Sequence, residues 1–297
     1  MPLPKTVSKT RKPILFMVCL LFAFCGIHLY WSNTTFGVTR YTIANESLPP
    51  ALQGFTIVQI SDLHNTAFGK QQSQLLEATA QQQPDIIAIT GDFIDSYHTD
   101  ISISMEFIHR AAAIAPIYYV PGNHESRLPE QYARLKQQLK AAGVILLEDA
   151  GAIITYNHTP IRLLGVKDPS FTAPENAAAA DTLKQMSQTL DSLLTRTAAN
   201  ADSYTILLSH RPELLDAYRT AGIPLVLSGH THGGQIRLPG IGALYAPNQG
   251  LFPAYAAGLY NIPPTRLIIS RGLGNSIIPV RIGNRPELVS ITLQPTP

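Results

Sequence analysis

The chain has 297 residues, and 45% of them are hydrophobic, which is enough to bury one large core or two modest ones. The first 50 residues hold five of the 22 basic residues but only one of the 20 acidic ones, so the part from Ala51 onward has a net charge of −2. This balance disfavours a nucleic-acid-binding protein, because duplex binding relies on neutralising phosphates.

The N-terminus contains an apolar run, ILFMVCLLFAFCGIHLYW at residues 14–31, that is just long enough to cross a bilayer. Four cationic residues precede it, and Tyr30 and Trp31 at its end are typical of interfacial anchors. The charge bias predicts a cytoplasmic tail and a transmembrane anchor over residues 1–33, a linker over 34–50, and a globular domain over 51–297 outside the cytoplasm. A cleaved signal peptide is the alternative, although HLYWSNTT lacks a small-x-small cleavage site.

Both cysteines, Cys19 and Cys25, lie in the apolar run, so the globular part has neither a disulfide nor a thiolate metal ligand. A lipoprotein signal ending at Cys25 is a further alternative, but the bulky Phe24 before the cysteine disfavours it.

From Phe55 onward, apolar runs alternate with amphipathic stretches, which predicts βαβ units. We predict strands over FTIVQI (55–60), DIIAIT (85–90), IYYV (117–120) and VILLE (144–148), and helices over 71–82, 104–114 and 129–142. Six later runs, from AIITYN to ELVSITL, have less helix between them and indicate a second sheet. The expected fold class is α/β, with two mixed β-sheets packed face to face and helices outside both. Residues 169–200 are predicted to form a surface excursion or a cap, with a helix near Leu183–Leu194.

Polar side chains follow five of the predicted strands, at the edge of an α/β sheet where ligands bind. The clusters are SDLHN, GDFID, PGNHE, SHRPE and SGHTHGG, which carry Asp62 and His64, Asp92 and Asp95, Asn123 and His124, His210, and His230 and His232. Imidazole, carboxylate and amide groups are ligands for Mn, Fe or Zn.

The spacing within two of these clusters also favours a metal site. Asp62 and His64 are two residues apart, as are His230 and His232, and in an extended backbone such residues point to the same side. Each pair could therefore converge on one ion, and the glycines in these loops allow sharp turns. A single histidine at a strand end is more often a hydrogen-bonded surface residue, but five of the nine histidines lie in these clusters. The other four, His28, His98, His109 and His158, have no such setting.

The ordered motifs D-x-H, G-D-x-x-D, G-N-H-E, a later H, and G-H-T-H resemble those of the calcineurin-like metallophosphoesterases, from about Phe55 to the C-terminus. The resemblance implies two divalent ions, with Mn expected and Fe, Zn or Mg as alternatives. It also implies metal-dependent hydrolysis of a phosphoester by a monomeric enzyme. It assigns Asp62, His64 and His232 to the first ion, Asn123, His210 and His230 to the second, and Asp92 to both. In the same scheme His124 donates to the phosphoryl or leaving-group oxygen, and Asp95 orients His124.

The finer motifs GHTHGGQ, SRGLG and RPELVSITL resemble the membrane-anchored bacterial branch of this family, typified by YaeI and YkuE. The resemblance implies a single-pass protein of the bacterial inner membrane and a lipid-linked phosphodiester or pyrophosphate substrate, such as UDP-2,3-diacylglucosamine. That substrate is cytoplasmic, whereas the charge bias puts the domain outside. Either the substrate differs, or the topology is reversed, or the anchor lies in the membrane plane.

Two further segments bear on the substrate. The apolar stretch Leu244–Tyr260 could line an acyl-chain groove or simply pack in the core. Arg271 and Arg281 are candidate substrate-binding residues, because with Arg285 they flank an apolar tip at Ile277–Val280 and could meet phosphate headgroups; ordinary surface arginines are the alternative. For the whole chain, the alternatives are a nuclease or nucleotide phosphodiesterase of the same superfamily and an inactive, membrane-tethered metal-binding module.

Overall fold

The computed structural model describes residues 11–45, 48–174, 177–197, 203–275 and 280–295. It begins with an exposed helix, α1 (Arg11–Thr34), in which Pro13–Thr34 is long and apolar enough to cross a membrane. A signal sequence at this position would have the same character. The C-terminal end of α1 reaches the globular part, where Ser32 is buried.

The first sheet has six strands, in the spatial order β1, β16, β2, β3, β4, β5. The neighbours β2, β3, β4 and β5 are parallel, whereas β16 runs antiparallel to β2 and parallel to β1. The strands are β1 (Gly37–Asn45), β2 (Thr56–Ile60), β3 (Ile86–Thr90), β4 (Ile117–Val120), β5 (Ile145–Leu146) and β16 (Glu287–Pro295). Four helices accompany this sheet: α2 (Ser73–Ala80), α3 (Ile101–Ala111), α4 (Asn123–Ser126) and α5 (Pro129–Ala141).

The second sheet also has six strands, in the order β14, β15, β9, β8, β7, β6. Its four central strands are parallel and its two edge strands are antiparallel to their neighbours. The strands are β6 (Ala150–Tyr156), β7 (Thr159–Gly165), β8 (Tyr204–Leu208), β9 (Leu225–Ser228), β14 (Gly258–Ile262) and β15 (Thr265–Ile269), and the helices are α6 (Ala179–Arg196) and α7 (Leu215–Thr220). Two short hairpins precede β14: β10 (Arg237–Leu238) with β11 (Gly242–Ala243), and β12 (Tyr245–Ala246) with β13 (Gly250–Leu251).

The two sheets pack face to face, and the helices cover their outer faces. Ile57 and Val120 of the first sheet share one buried cluster with Leu163, Leu208 and Leu227 of the second. A second cluster lies between the first sheet and α2, α3 and α5, and a third between the second sheet and α6 and α7. The strands carry near-continuous apolar runs because both faces of each sheet are buried. The predicted four-layer arrangement is therefore confirmed.

Several boundaries and placements differ from the sequence-based expectations. Within the predicted linker, Gly37–Asn45 forms β1, because its backbone pairs with the whole length of β16. The run ELVSITL, expected in the second sheet, belongs to the first. In the segment expected as a surface excursion or cap, the helix expected near Leu183–Leu194 is longer: α6 buries Met186, Leu190 and Leu193 against the second sheet. The helix expected over 104–114 begins earlier, at Ile101, because the Asp100 carboxylate accepts a hydrogen bond from the Ser102 amide and caps it.

Candidate metal centre

The loops that follow β2, β3, β4, β8 and β9 bring the predicted site residues together at the carboxyl ends of the strands. These side chains come from both sheets, so the centre lies where the two sheets meet at this end of the sandwich. All nine predicted catalytic and metal-binding residues are buried: Asp62, His64, Asp92, Asp95, Asn123, His124, His210, His230 and His232.

The backbone at the centre is not extended as the spacing argument supposed. Asp62, His64, Asp92, His230 and His232 all have positive φ angles, between 45° and 71°. Side chains with a Cβ rarely adopt this conformation, and such strain persists where the surrounding structure enforces it for function. The loops after β2, β3 and β9 therefore turn sharply at the residues that carry the ligands.

The first group of converging side chains contains Asp62, His64, Asp92 and His232. Their ligand atoms all lie within 4.8 Å of one another, which is close enough for one ion to contact them all. The Nε2 atoms of His64 and His232 are 3.1 Å apart, and the His232 Nε2 atom is 3.5 Å from the Asp62 carboxylate. The Asp92 carboxylate is 3.7 Å from the His64 Nε2 atom.

The second group shares Asp92 with the first. Asp92, His210 and His230 offer atoms within 4.8 Å of one another, and the His210 Nε2 atom is 3.1 Å from both the Asp92 carboxylate and the Asn123 side-chain oxygen. His230 and His232 therefore belong to different groups, although their spacing had allowed a single shared ion. The division agrees with the one that the family resemblance implies.

Hydrogen bonds at the ring Nδ1 atoms determine the tautomers of three of these histidines. The Nδ1 atoms face the Asp95 carboxylate at His64, the Gly274 carbonyl at His232 and the Thr90 carbonyl at His210, at 2.8–3.2 Å. These oxygens only accept, so each Nδ1 atom carries a proton, and each ring in its neutral form directs an Nε2 lone pair into the centre. Lone pairs of the neutral rings and carboxylate oxygens thus converge, and a bound cation would stabilise that arrangement. The donor set fits divalent transition ions.

The pKa shifts of the histidines show how the negative charge of the buried carboxylates is compensated within the protein. Burial lowers the pKa of His210, but Asp92 outweighs that effect and raises the pKa to about 10. For His230 and His232, burial and neighbouring cationic groups lower the pKa well below the ordinary histidine value. The extra proton on the His210 ring therefore offsets part of the negative charge that a metal ion would offset, and binding of a metal ion would release that proton.

His124 has the opposite tautomer. Its Nδ1 atom accepts a hydrogen bond of 3.0 Å from the Ser96 backbone amide, which can only donate, so the proton of the neutral ring is on Nε2. Burial lowers the pKa of His124 to about 4, and the ring is neutral at pH 7. A neutral ring that keeps its Nε2–H suits donation to a substrate oxygen better than metal ligation.

Asp95 is placed differently from the sequence-based expectation. Its Oδ2 atom is 3.1 Å from the His64 Nδ1 atom but 3.6 Å from the His124 Nδ1 atom. Because the His124 Nδ1 atom already accepts from Ser96, it has no proton to offer Asp95. The aspartate thus orients His64, and a backbone amide orients His124.

Glu125 is a buried member of the site that the sequence argument did not assign. Its carboxylate accepts hydrogen bonds from four backbone amides, those of Asp92, Phe93, Ile94 and Gly122, at 2.7–3.1 Å. It therefore joins the loop after β3 to the loop after β4. Burial and Asp92 raise the pKa of Glu125 to about 7, against the amide donors that favour its charged form. The only signal in the sequence was its place in the PGNHE motif.

Close packing at two glycines holds the same loops in place. A Cβ atom at Gly122 would overlap the Asp92 carboxylate and lie 2.6 Å from the Asp92 amide nitrogen. A Cβ atom at Gly229 would overlap Ser61 and the Asp62 carboxylate. These positions need glycine for space, since neither has a positive φ angle.

The candidate substrate-binding arginines differ in setting. Arg281 is fully buried and does not face a substrate: its guanidinium donates to the Arg271 and Gly274 carbonyls and to the Asn275 side chain, and it lies 3.3 Å from the His232 Nδ1 atom. Arg271 is partly exposed, and its side chain lies 3.9 Å from the Glu287 carboxylate. Most of the predicted apolar tip, residues 276–279, lies outside the described residues.

A buried ion pair and a cavity adjoin the second group. The Arg211 guanidinium donates to both Asp168 carboxylate oxygens, at 2.6 and 2.9 Å. Beyond it lies a cavity of about 570 Å³, lined by α6 and the preceding loop and by Glu213 and Asn248. The Asn248 side-chain nitrogen is 3.4 Å from the His230 Nε2 atom, so the cavity is next to the candidate metal centre.

Comparison with known proteins gives the same family as the motifs. Residues 55–234 match the calcineurin-like phosphoesterase family. The chain is 28% identical over 268 residues to the uncharacterized metallophosphoesterase YkuE of Bacillus subtilis, covering 87% of this chain and 85% of YkuE. It is 27% identical over 245 residues to the phosphodiesterase YaeI of Escherichia coli, covering 80% and 82%. A dimetal phosphatase from Danio rerio has a similar structure, with a TM-score of 0.44 and 14% identity over 74% of this chain and 88% of that one.

The family match spans more than half of the chain and contains all the residues of both converging groups. The chain belongs to the calcineurin-like phosphoesterase family, and it is a metal-dependent phosphoesterase.

Proposed function

We propose that the protein is a membrane-anchored phosphohydrolase with two metal ions, which cleaves a phosphodiester or pyrophosphate bond. The observation that carries this proposal is the convergence of acceptor atoms on either side of the shared Asp92 carboxylate. Asp62, His64 and His232 would hold one ion, and Asn123, His210 and His230 the other. Manganese is our choice of metal, because nitrogen and oxygen ligands without sulfur suit it.

The protein side chains divide the remaining work. Two bound ions would supply Lewis acidity and a water-derived nucleophile at neutral pH. His124 would donate a hydrogen bond from its Nε2–H group to a phosphoryl or leaving-group oxygen, and its low pKa keeps the ring neutral. The Asp95 carboxylate and the Gly274 carbonyl fix the rings of His64 and His232 by accepting hydrogen bonds from their Nδ1–H groups. The cavity beside Asn248 would take the part of the substrate that does not react.

We further propose a lipid-linked phosphoester as substrate and the outer side of the inner membrane as the location of the domain. The length and apolarity of α1 support anchoring, and the four cationic residues before its apolar run support a cytoplasmic N-terminus. A reporter fused to the C-terminus tests the side directly. Reporter activity restricted to the cytoplasm would contradict the proposed topology and would restore a cytoplasmic UDP-lipid as a substrate.

The hydrolytic function is tested with bis(p-nitrophenyl) phosphate, with and without Mn²⁺, on the wild-type chain and three variants. Asp92→Asn should lose both metal binding and turnover. His124→Ala should reduce turnover by about 10²–10⁴-fold while metal content stays near that of the wild type. His109→Ala, exposed on α3, is the matched control and should leave both unchanged.

Loss of metal from His124→Ala would show that His124 is a metal ligand and not a hydrogen-bond donor to the substrate. Absence of metal-dependent turnover in the wild type would favour a binding module. A panel of lipid-linked and nucleotide phosphoesters, offered to the active enzyme, would then identify the substrate class.

A further inference from the structure

Exposed apolar side chains are concentrated on one surface of the globular part. Among the described residues outside α1, eleven large apolar side chains are exposed, and seven of these lie in residues 238–252 and 280–282. Leu251, Phe252 and Ile241 are the most exposed of them, at 72%, 65% and 61%. A patch of this kind marks a contact surface and not random exposure. We call residues 237–252 and 280–285 the hairpin face.

The hairpin face is continuous with the end of α1. The Asn33 side chain bonds both backbone groups of Arg281, accepting from its amide at 2.7 Å and donating to its carbonyl at 3.1 Å. The next residue, Ile282, pairs through its backbone with Gln235 and Arg237. Two short steps of hydrogen bonding therefore connect the end of the anchor helix to the first hairpin. Val280 and Ile282, both exposed, therefore flank Arg281 at the point where α1 meets the domain.

The charged residues of the hairpin face, Arg237, Arg281 and Arg285, are all cationic. Arg281 is buried, and the carboxylate of Glu213 lies beside Asn248 at one side of the face. At the end of α1 the Arg285 guanidinium lies over the Trp31 ring, 4.3 Å from its centroid, and donates to Thr35. Arg237, half-buried, has Arg271 as a cationic neighbour, and burial together with that charge lowers its pKa. Apolar tips beside arginines and an interfacial tryptophan match a surface of anionic phospholipids.

We propose that the hairpin face lies on the bilayer that α1 spans, with Leu251 and Phe252 at the boundary between headgroups and acyl chains and Arg237 and Arg285 at the lipid phosphates. The inference rests on the anchoring part of the proposed function and is independent of the hydrolytic part. It also gives the centre a location: His232 is five residues before Arg237, and Asn248 of the second hairpin is 3.4 Å from His230. A metal centre beside the bilayer would receive phosphoesters whose other end remains in the membrane.

The test places an environment-sensitive fluorophore on the hairpin face of the full-length chain. The native cysteines Cys19 and Cys25 are first changed to serine, and Phe252→Cys is labelled with nitrobenzoxadiazole and reconstituted in phosphatidylglycerol vesicles. We expect blue-shifted emission and strong quenching by nitroxide-labelled lipids. Ile153→Cys is the matched control, since Ile153 is 42% exposed on the outer edge strand β6, and its label should stay water-like and unquenched. Leu251→Cys is a second position on the hairpin.

The contribution of Arg237 to lipid contact is measured by introducing Arg237→Gln into the protein labelled at position 252. This substitution should weaken the quenching in phosphatidylglycerol vesicles more than in phosphatidylcholine vesicles. Equal, water-like emission from positions 252 and 153 would overturn the inference. Turnover of bis(p-nitrophenyl) phosphate, measured on the same vesicles, separates the two proposals. Turnover without lipid contact removes only the docking surface, and lipid contact without turnover removes only the hydrolase.

Discussion

The Arg281 guanidinium lies 3.3 Å from the His232 Nδ1 atom, and both groups donate to the same acceptor, the Gly274 carbonyl. On its other side, the backbone of Arg281 is bonded to Asn33 at the end of α1. A fully buried arginine therefore stands between the anchor helix and a proposed metal ligand.

Arg281→Lys should weaken metal binding by about 10–100-fold, the usual effect of removing a group that supports a ligand. Lysine keeps the charge but loses the planar fork that reaches Arg271, Asn275 and Gly274 together. Mn²⁺ affinity is measured by titration calorimetry, and thermal unfolding is measured separately in metal-free buffer. Arg134→Lys, exposed on α5, is the control. Unchanged Mn²⁺ affinity with a lowered Tm would reduce Arg281 to a purely structural residue.

Glu125→Gln should destabilise the loops that carry Asp92 and Asn123. The carboxylate serves four amide donors, whereas a glutamine oxygen accepts two at most and its NH₂ group faces the rest. Each donor left unpaired costs about 1–3 kcal/mol, so urea unfolding should show a lower free energy of unfolding and Mn²⁺ affinity should fall. Glu130→Gln, exposed at the start of α5, should change neither. Wild-type behaviour of Glu125→Gln would show that the loops hold without it.

Gly122→Ala should abolish turnover and Mn²⁺ binding, because the new methyl group would displace the Asp92 carboxylate. Gly37→Ala is the matched control: its φ angle is also not positive, and the added methyl group would approach only Arg285, at 3.8 Å. Circular dichroism distinguishes local loss of the site from global unfolding. A Gly122→Ala variant that binds Mn²⁺ normally would show that the Asp92 loop can move without consequence.

Asp168→Asn should lower the free energy of unfolding by about 3 kcal/mol at pH 7, because it removes the two-oxygen partner of the buried Arg211 and leaves only the Glu213 carboxylate, at 3.4 Å. Burial raises the pKa of Asp168, but Arg211 outweighs that effect and holds the pKa below its ordinary value. The pair therefore stabilises the fold above the unfolded-state pKa, about 3.9, and its contribution is lost as pH falls through the lower folded-state pKa.

Urea unfolding from pH 7 to pH 2 checks this dependence, and the difference between wild type and Asp168→Asn should shrink only at the acid end. Asp216→Asn removes an exposed partner of Arg219 and should cost no more than about 0.5 kcal/mol at any pH. A pH-independent difference for Asp168→Asn would mean that packing, and not charge, explains the loss.

The sequence predicted the sandwich and the meeting of the site residues at one edge because both depend on local patterns, whereas the division of the ligands into two groups came from the family resemblance. Apolar runs of strand length indicated strands that are buried on both faces of a sheet. The polar residues directly after these runs indicated the edge of the sheet where ligands bind. The pairing of β1 with β16 was hidden, since it joins residues about 250 positions apart and β1, GVTRYTIAN, has no clear signal of burial.

Within the site, ligand identity was more predictable than orientation. The family resemblance assigned Asp95 to His124, but the Asp95 carboxylate is 3.1 Å from the His64 Nδ1 atom, and the Ser96 amide donates to the His124 Nδ1 atom. The role of Arg281 was also unpredictable, because an arginine near an apolar tip reads as surface until the structure shows that Asn33 and Gly274 enclose it. Such contacts depend on loops from distant parts of the chain.

The parallel pairing of β1 with β16 sets the boundary for a truncated version of the protein. Only Thr35 and Phe36 separate α1 from β1, and β1 covers nine consecutive residues of β16. A fragment that started at Ala51, the predicted domain boundary, would leave β16 as a bare edge strand, which invites pairing between copies and aggregation. A fragment that starts at Thr35 keeps this edge covered and is the one to express for crystallisation.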